Sequence, residues 1–277
     1  MTVIAMTREM GTLGKDVAQG LADQLGLKVV HHELVERDLA QQLGAPESTV
    51  HRFLEGSVSL LEKWKMDGNR LARCTAEEIF KLAEDGNVVI RGWGAAALLN
   101  DVSSVLCVRV CAPMAFREQV MMERLGVADP AVVRREIELN DTAHARVMTG
   151  RFSHDWDDPL NYHAVLNSSV VPVDNCVALL RGLAESAAFQ ETAESRAMIS
   201  DKLLKARVRS ALMTSVEHGA GSSSVEVSVQ KGVVAVSGLM FEQRVVDEII
   251  QTVQAVAGVL KVENRITVTH LRRSGQW

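Results

Sequence analysis

Residues 8–16, which read R-E-M-G-T-L-G-K-D, are the part of the sequence best suited to hold a phosphate group. They join an apolar run at 3–6 to a segment of helical period. A buried strand that ends in a glycine turn and opens a helix directs main-chain N–H groups and the positive end of the helix dipole toward one point. We expect Gly11 and Gly14 to permit positive φ angles and close approach to an oxyanion, while Lys15 adds a mobile charge.

Two positions differ from the complete phosphate-loop pattern G-x-x-x-x-G-K-[ST]. Glu9 stands at the first glycine, and Asp16 stands at the hydroxyl that holds Mg²⁺. An ordinary strand-to-helix turn with exposed charges explains these residues equally well. Asp16 suits either a Mg²⁺ ligand or an N-cap. The residues that we assign to nucleotide binding are Arg8, Gly11, Thr12, Gly14, Lys15 and Asp16.

Five short apolar runs in the first half of the chain indicate β-strands, and segments of helical period separate most of them. This alternation predicts an α/β fold in which a parallel sheet carries helices on both faces. Ligands bind such sheets at the carboxyl ends of the strands, where the glycine turn lies. The predicted strands are 3–6, 28–31, 87–91, 105–111 and 164–167.

Cationic side chains follow the fourth predicted strand and could cover a bound phosphate. Arg117 and Arg124 lie two turns apart on one helical face, and Arg146 lies on the next helical stretch. Residues 155–162, which read D-W-D-D-P-L-N-Y, lead into the fifth strand. Phosphoryl transfer requires cations near the transferred group and a cover that excludes water. Arginines that are merely solvated at the surface are the alternative interpretation.

Charge divides the chain into two parts. The first 199 residues carry a net charge of −8, whereas residues 200–277 carry +3. The segment 187–196 between them is small and polar. We therefore predict a first domain at 1–188, a linker or a frayed helix end at 189–199, a second domain at 200–271 and a tail at 272–277. The acidic first part argues against a general nucleic-acid surface.

Composition indicates a globular protein of 277 residues, with 47% hydrophobic and 23% charged residues. No apolar stretch reaches the roughly 18 residues of a membrane span, and the N-terminus lacks the pattern of a secretion signal. We therefore expect a cytoplasmic protein. Four cysteines without metal-ligand spacing indicate free buried thiols, and they are Cys74, Cys107, Cys111 and Cys176.

Several blocks of the first part occur in the same order as in a known family. They include T-R-E-M-G-T-L-G-K-D-V-A at 7–18, V-I-R-G-W-G-A-A at 89–96, A-P-M-A-F-R at 112–117 and D-W-D-D-P-L-N-Y at 155–162. Over residues 1–185 the chain resembles the cytidylate kinase-like family, a branch of the nucleoside monophosphate kinases. The resemblance implies a P-loop kinase-like fold, ATP and Mg²⁺ as cofactors, and transfer of the γ-phosphoryl group to a nucleoside monophosphate or a similar acceptor.

The same resemblance implies roles for individual residues. The catalytic cations would be Lys15, Arg117, Arg124 and Arg146. The substrate-side residues would be Arg91, Trp93, Asp158 and Tyr162, of which the last two would anchor the cover. Asp16 would be the residue that binds the metal ion.

Departures from the family pattern reduce the positive charge of this site. Leu13 replaces a loop glycine, His31 replaces an aspartate, Trp93 replaces an arginine, and residues 142–144 read T-A-H in place of an arginine-rich stretch. Each lost contact to a phosphate could remove roughly 1.5 to 3 kcal/mol. A regulatory protein that binds a nucleotide without turning it over is therefore the second hypothesis.

The second part predicts a helix, a β-hairpin, another helix and a last strand, in an α-β-β-α-β order. Lys231 and Gly232 form the predicted hairpin turn. The blocks K-G-V-V-A-V-S-G at 231–238 and G-V-L-K-V-E-N at 258–264 resemble the BON domain.

The resemblance to the BON domain implies contact with phospholipid surfaces or partner proteins. The charge for an anionic lipid contact would come from Lys202, Lys205, Arg207 and Arg209. A solvated basic face, docking onto the acidic first part, and self-association into a homo-oligomer explain the same charge.

Overall fold

The computed structural model describes residues 1–31, 68–92, 94–215 and 225–269. These residues divide into two compact units, Met1–Ser195 and Arg196–Trp277. Each unit has a hydrophobic core of its own.

A parallel sheet of five strands forms the centre of the first unit. The strands are β1 (Val3–Arg8), β2 (Lys28–His31), β3 (Val88–Arg91), β4 (Val105–Cys111) and β5 (Ala164–Asn167). Their spatial order is β2-β3-β1-β4-β5, so the strand that opens the chain lies in the middle. The predicted α/β class and all five predicted strands are confirmed, although β1 runs two residues further than predicted.

Helices cover both faces of this sheet, as predicted. They are α1 (Gly14–Leu25), α2 (Gly68–Asp85), α3 (Ala95–Leu99), α4 (Met114–Leu125), α5 (Pro130–Phe152) and α6 (Val173–Glu185). Ile4 and Met6 pack with residues of α1 and α6 in one core cluster. The neighbouring side chains of the sheet point the other way, where Cys107 Sγ lies 3.9 Å from the main-chain oxygen of Ala96 in α3.

Helix α1 begins directly after the glycine turn because its apolar residues recur at helical spacing. Val17 and Leu21 are completely buried against the sheet, whereas Lys15 and Asp16 on the first turn are exposed. The helix ends at Gly26, whose left-handed conformation lets its N–H group donate to the main-chain oxygen of Ala22. The turn that precedes α1 is therefore held at the carboxyl end of the central strand.

The segment between β4 and β5 contains α4, α5 and a short acidic stretch. Asp129 caps α5 by accepting a hydrogen bond from Ala131 N at 2.9 Å, and Pro130 occupies the first helical position. Residues 155–158 (D-W-D-D), called the acidic strap below, follow α5. Asp158 then caps the 3₁₀ turn Pro159–Asn161 by accepting from Leu160 N at 2.9 Å.

The second unit confirms the predicted α-β-β-α-β order. Its elements are α7 (Ala193–Ser215, which begins at the end of the first unit), β6 (Glu226–Gln230), β7 (Val233–Met240), α8 (Gln243–Gln254) and β8 (Lys261–Val268). Strand β7 is central, antiparallel to β6 and parallel to β8. Lys231 and Gly232 form the hairpin turn with φ angles of 49° and 76°, and their N–H groups donate to the carboxylate of Asp201 in α7 at 2.7 and 3.1 Å.

Helix α7 begins inside the predicted linker, 189–199. Thr192 and Ser195 cap each other: Ser195 N donates to Thr192 Oγ1 at 3.1 Å, and Thr192 N donates to Ser195 Oγ at 3.0 Å. This reciprocal cap explains why the helix starts at Ala193, although the segment lacks a clear apolar stripe. The predicted domain bounds and linker stay predictions, and the predicted tail, 272–277, lies outside the described residues.

Other sequence predictions concern thiols and membrane spans. Cys107, Cys111 and Cys176 are free, and burial, together with a smaller effect of Asp101, raises the pKa of the Cys107 thiol to about 12. The side chain of Cys74 lies outside the described part of the chain. Among the described helices, none combines the length and the apolar character needed to cross a membrane.

Candidate functional site

The turn between β1 and α1 presents a row of main-chain hydrogen-bond donors. Among the described residues, none accepts a hydrogen bond from the N–H groups of residues 10–15, which we call the anion loop. On either side the donors are paired, because Glu9 N donates to Val110 O at 3.2 Å and Asp16 N donates to Leu13 O at 2.9 Å. Unpaired N–H groups at a helix N-terminus are a binding site for anions.

The two glycines of the anion loop serve different purposes. Gly11 has the expected positive φ, 82°, and a Cβ at this position would lie 2.7 Å from the main-chain oxygen of Arg117. The expectation of a positive φ is wrong for Gly14, because Leu13 takes the left-handed conformation instead, with φ 57°. The turn places this conformation at the residue that precedes α1, at a cost of about 1–2 kcal/mol. Glycine is required at position 14 for a steric reason instead, because a Cβ there would lie only 2.8 Å from Arg8 Cβ.

The remaining residues of the loop divide into buried and exposed positions. Thr12 is buried, and its hydroxyl donates to the main-chain oxygen of Glu9 at 2.8 Å. The main-chain oxygen of Thr12 accepts a hydrogen bond from the hydroxyl of Ser168, which follows β5. Lys15 and Asp16 are exposed beside the N–H groups of the loop. The assignment of these residues to nucleotide binding stays a prediction.

Three of the predicted site arginines lie close enough to interact electrostatically. They are Arg8 at the end of β1, Arg91 at the end of β3 and Arg124 on α4. The pKa of Arg8 is lowered to about 10, chiefly by burial and also by Arg91 and Arg124, whereas Asp16 opposes the change. In the part of the chain that the structure describes, no carboxylate forms an ion pair with Arg8 or Arg124. A bound anion would relieve the repulsion within this cationic cluster.

His144 of α5 lies near the same cluster, where the family pattern has arginines. The pKa of His144 is lowered to about 4, chiefly by burial and also by Arg8, while Asp141 opposes the change. The imidazole ring stacks on the ring of Trp156 with a centroid distance of 5.1 Å. His144 is therefore neutral near pH 7 and does not replace the positive charge that the sequence departure removes.

Arg109 is a buried residue of this region that the sequence patterns did not single out. It lies on β4, is only 6% exposed, and donates from Nη2 to Glu9 Oε1 at 2.7 Å. It also donates to the carboxylate of Asp157 and to the main-chain oxygen of Trp156 in the acidic strap. Burial acts to lower the pKa of Arg109, but the hydrogen bonds to Glu9 and Asp157 raise it above the ordinary value. An arginine inside the apolar run V-L-C-V-R-V-C was the signal available in the sequence.

Arg117, a predicted catalytic cation, lies beneath the anion loop and is 5% exposed. Its Nε donates to the main-chain oxygen of Met10 at 2.7 Å, and its Nη2 donates to Asp141 of α5 at 2.7 Å. Its Nη1 lies 3.5 Å from Glu9 Oε2. All three nitrogens therefore face protein groups, and contact between Arg117 and a transferred phosphoryl group stays a prediction.

Three further predicted residues, which the structure describes, are not gathered at the anion loop by any of their contacts. Arg146 is exposed on α5. Asp158 caps a 3₁₀ turn, and Tyr162 is buried with its hydroxyl donating to the main-chain oxygen of Trp156 at 2.9 Å. These contacts suit anchors of the strap. Trp93 and the side chain of His31 lie outside the described residues.

A magnesium ion would need partners besides the protein at this site. Within the described ranges, no group of three or more His, Cys, Asp or Glu side chains is placed to hold a metal ion. Mg²⁺ in nucleotide sites is held by one or two carboxylates together with phosphate oxygens and water. The exposed carboxylate of Asp16, next to the anion loop, fits that requirement.

Because two histidines are buried, we expect the stability of the folded protein to depend on pH. The pKa values of His144 and His154 are lowered chiefly by burial, so both side chains take up a proton at a lower pH in the folded protein than in the unfolded chain, where the pKa of histidine is about 6.5. The unfolded state then binds more protons, and the free energy of unfolding falls as the pH falls below about 6.5. We expect a loss of at most about 1.4 kcal/mol per pH unit for each histidine.

Urea unfolding at pH 7, 6 and 5 measures this loss, in a window above the titration range of most carboxylates. His144→Phe keeps an aromatic ring against Trp156 and should make the loss smaller. A free energy of unfolding that is equal at pH 7 and pH 5 would contradict the prediction.

Models of two known families match separate parts of the chain. A model of the cytidylate kinase-like family matches residues 3–170, which is more than half of the chain, and a model of the BON domain matches residues 200–270. No curated protein matches the chain.

Solved structures are similar to about two thirds of this chain at low sequence identity. An uncharacterized protein from Eubacterium ventriosum ATCC 27560 is 20% identical with a TM-score of 0.53, over 67% of this chain and 99% of that chain. Shikimate kinase from Bacteroides thetaiotaomicron is 12% identical with a TM-score of 0.40, over 67% and 99% of the two chains. A gluconokinase from Sinorhizobium meliloti 1021 is 14% identical with a TM-score of 0.39, over 69% and 98%.

The first of these structural matches supports the fold alone, and the other two scores are too low to support an inference. The family model is stronger, because it covers all five strands of the parallel sheet and the anion loop. The chain therefore belongs to the cytidylate kinase-like family and carries a BON domain as its second unit.

Proposed function

We propose that the protein is an ATP-dependent phosphotransferase that transfers the γ-phosphoryl group to a nucleoside monophosphate or a similar acceptor. The observation that carries the proposal is the anion loop, whose N–H groups have no acceptor among the described residues and lie beside a cationic cluster. The family membership makes a nucleotide the expected anion. The proposal places the protein in the cytoplasm, where ATP is available.

Individual residues would act on the bound phosphates in different ways. The N–H groups around Gly11 and Gly14 would hold phosphate oxygens, and Lys15 or Arg8 would neutralise their charge. Arg91 would position the acceptor, and Arg124 and Arg146 would offset charge on the transferred group. Asp16 would bind Mg²⁺, which would neutralise phosphate charge when present. The strap anchored by Asp158 and Tyr162 would help to exclude water.

A second candidate is a regulator that binds a nucleotide without turnover and acts through the BON domain on a protein or an anionic membrane. Two observations favour it. Leu13 holds a left-handed conformation that glycine adopts more readily, and Arg117 is committed to protein partners. A homo-oligomer is a third use of the second unit that we propose to test by light scattering.

A coupled assay with ATP, Mg²⁺ and a panel of nucleoside monophosphates separates the first two candidates. Turnover that is abolished by Gly14→Asp, which places a carboxylate at the anion loop, supports the phosphotransferase. Stabilisation by ATP in a thermal shift experiment without turnover supports the regulator. If ATP gives neither turnover nor stabilisation, both candidates are contradicted.

A further inference from the structure

Two buried arginines approach the start of the anion loop and share one carboxylate. Glu9 Oε1 accepts a hydrogen bond from Arg109 Nη2 at 2.7 Å, and Glu9 Oε2 lies 3.5 Å from Arg117 Nη1. The second oxygen also accepts from Ala112 N at 3.2 Å. The side chain of Glu9 is 13% exposed, so these charges interact where water screens them little. One carboxylate thus joins β1, β4 and α4.

Each of the two arginines also donates hydrogen bonds to another part of the first unit. Arg109 donates to Asp157 and to the main-chain oxygen of Trp156 in the acidic strap. Arg117 donates to Asp141 in α5 and to the main-chain oxygen of Met10 at the start of the anion loop. A continuous series of contacts therefore runs from the strap through Glu9 to α5: the links are charge-assisted hydrogen bonds, except for the ion pair between Glu9 and Arg117.

These bonds hold the loop through its carbonyl groups and flanking side chains. The carbonyls of Met10 and Thr12 accept from Arg117 and Ser168, whereas the N–H groups of residues 10–15 have no acceptor in the described part of the chain. The network thus fixes the loop without occupying the donors that an anion would need. Preorganised donors bind an anion more tightly than mobile ones, because less order is lost on binding.

We propose that Glu9, Arg109 and Arg117 are positioning residues that set the shape of the anion loop together with the positions of the strap and α5. The proposal rests on the proposed function in so far as the anion is a nucleotide phosphate. Glu9 stands where the complete phosphate-loop pattern has its first glycine, and this role explains why a carboxylate occupies that position. The three side chains act through the main chain of the loop.

The test perturbs the network at its two distant ends and measures the loop. Asp157→Asn and Asp141→Asn each remove one terminal carboxylate, on the strap and on α5. The amide resonances of Gly11, Thr12 and Gly14 are compared in ¹H–¹⁵N spectra of the full-length protein without ligand. Asp174→Asn on α6 and Glu138→Gln on α5 are matched controls, because both side chains are exposed and neither contacts Arg109, Arg117 or the carboxylates that pair with them.

Both network variants are expected to shift the three loop amides, and both controls are expected to leave them in place. Calorimetry should then show ATP binding weakened about 5-fold in each network variant, since one charge-assisted hydrogen bond is lost at one remove from the ligand. Unshifted loop amides in Asp157→Asn and Asp141→Asn would overturn the proposal. Shifted amides in a protein that does not bind ATP would support the network and contradict the proposed function.

Discussion

Gly11→Ala is expected to weaken ATP binding by about 100-fold or more, which corresponds to the loss of two or three hydrogen bonds to phosphate. The added methyl group would lie 2.7 Å from the main-chain oxygen of Arg117 and 3.1 Å from its Cα. These are backbone atoms of α4, which cannot move aside as the end of a flexible side chain can. Alanine is also strained at φ 82°. The loop must therefore shift, and its N–H groups lose their common direction.

Isothermal titration calorimetry with ATP and Mg²⁺ measures this effect. Gly182→Ala is the matched control, because Gly182 lies in α6 with nothing within 4 Å of an added Cβ. That control should keep the wild-type affinity and gain up to about 1 kcal/mol of stability from the higher helix propensity of alanine. Wild-type affinity in a folded Gly11→Ala protein would show that the anion loop does not bind ATP.

Glu9→Gln is expected to lower the free energy of unfolding by about 3–5 kcal/mol, because it removes the carboxylate shared by two buried guanidinium groups. Glutamine has nearly the same volume, so the loss reports charge rather than packing. Arg109 and Arg117 would keep Asp157 and Asp141 as partners, but they would face each other without the negative charge between them. For a unit of this size the melting temperature should fall by about 10 °C.

Differential scanning calorimetry of the full-length protein measures the change. Glu185→Gln is the matched control: the same substitution removes an exposed ion pair with Arg181, at 2.9 Å, whose contribution should be at most about 1 kcal/mol. If Glu9→Gln and Glu185→Gln lower the melting temperature equally, the buried network adds no more stability than a surface pair.

Gly11 and Glu9, whose substitutions have the largest expected effects, differ in how far their roles could be predicted from the sequence. Gly11 was predicted from its position in a glycine turn after an apolar run, and its positive φ is confirmed. Glu9 was noted only as a departure from the phosphate-loop pattern. The residues next to a glycine indicate that it needs a positive φ, so a local pattern can predict it. The partner of the buried Glu9 carboxylate lies a hundred residues away in the chain, so a local pattern cannot.

Local sequence patterns were sufficient to predict most of the helices and strands of both units. Apolar runs bounded by glycine and polar residues gave the five strands of the sheet, and a lysine–glycine turn between alternating valines gave the hairpin of the second unit. The sequence left 189–199 open between a linker and a frayed helix end, because two hydroxyl groups, on Thr192 and Ser195, begin α7 without an apolar stripe. The family blocks added the order of functional segments and the departure at 142–144.

The sequence by itself determined the fold class, the position of the anion loop and the family. Only the tertiary structure decided which arginines lie together near that loop and which are held by carboxylates. Arg8 and Arg91 lie at the carboxyl ends of the adjacent strands β1 and β3, and Arg124 of α4 is close enough to Arg8 to interact electrostatically. Arg109 and Arg117, in contrast, are neutralised by Glu9, Asp157 and Asp141. Apolar periodicity is a property of neighbouring residues, but an ion pair depends on distances between elements far apart in sequence, and these are fixed only when the core packs.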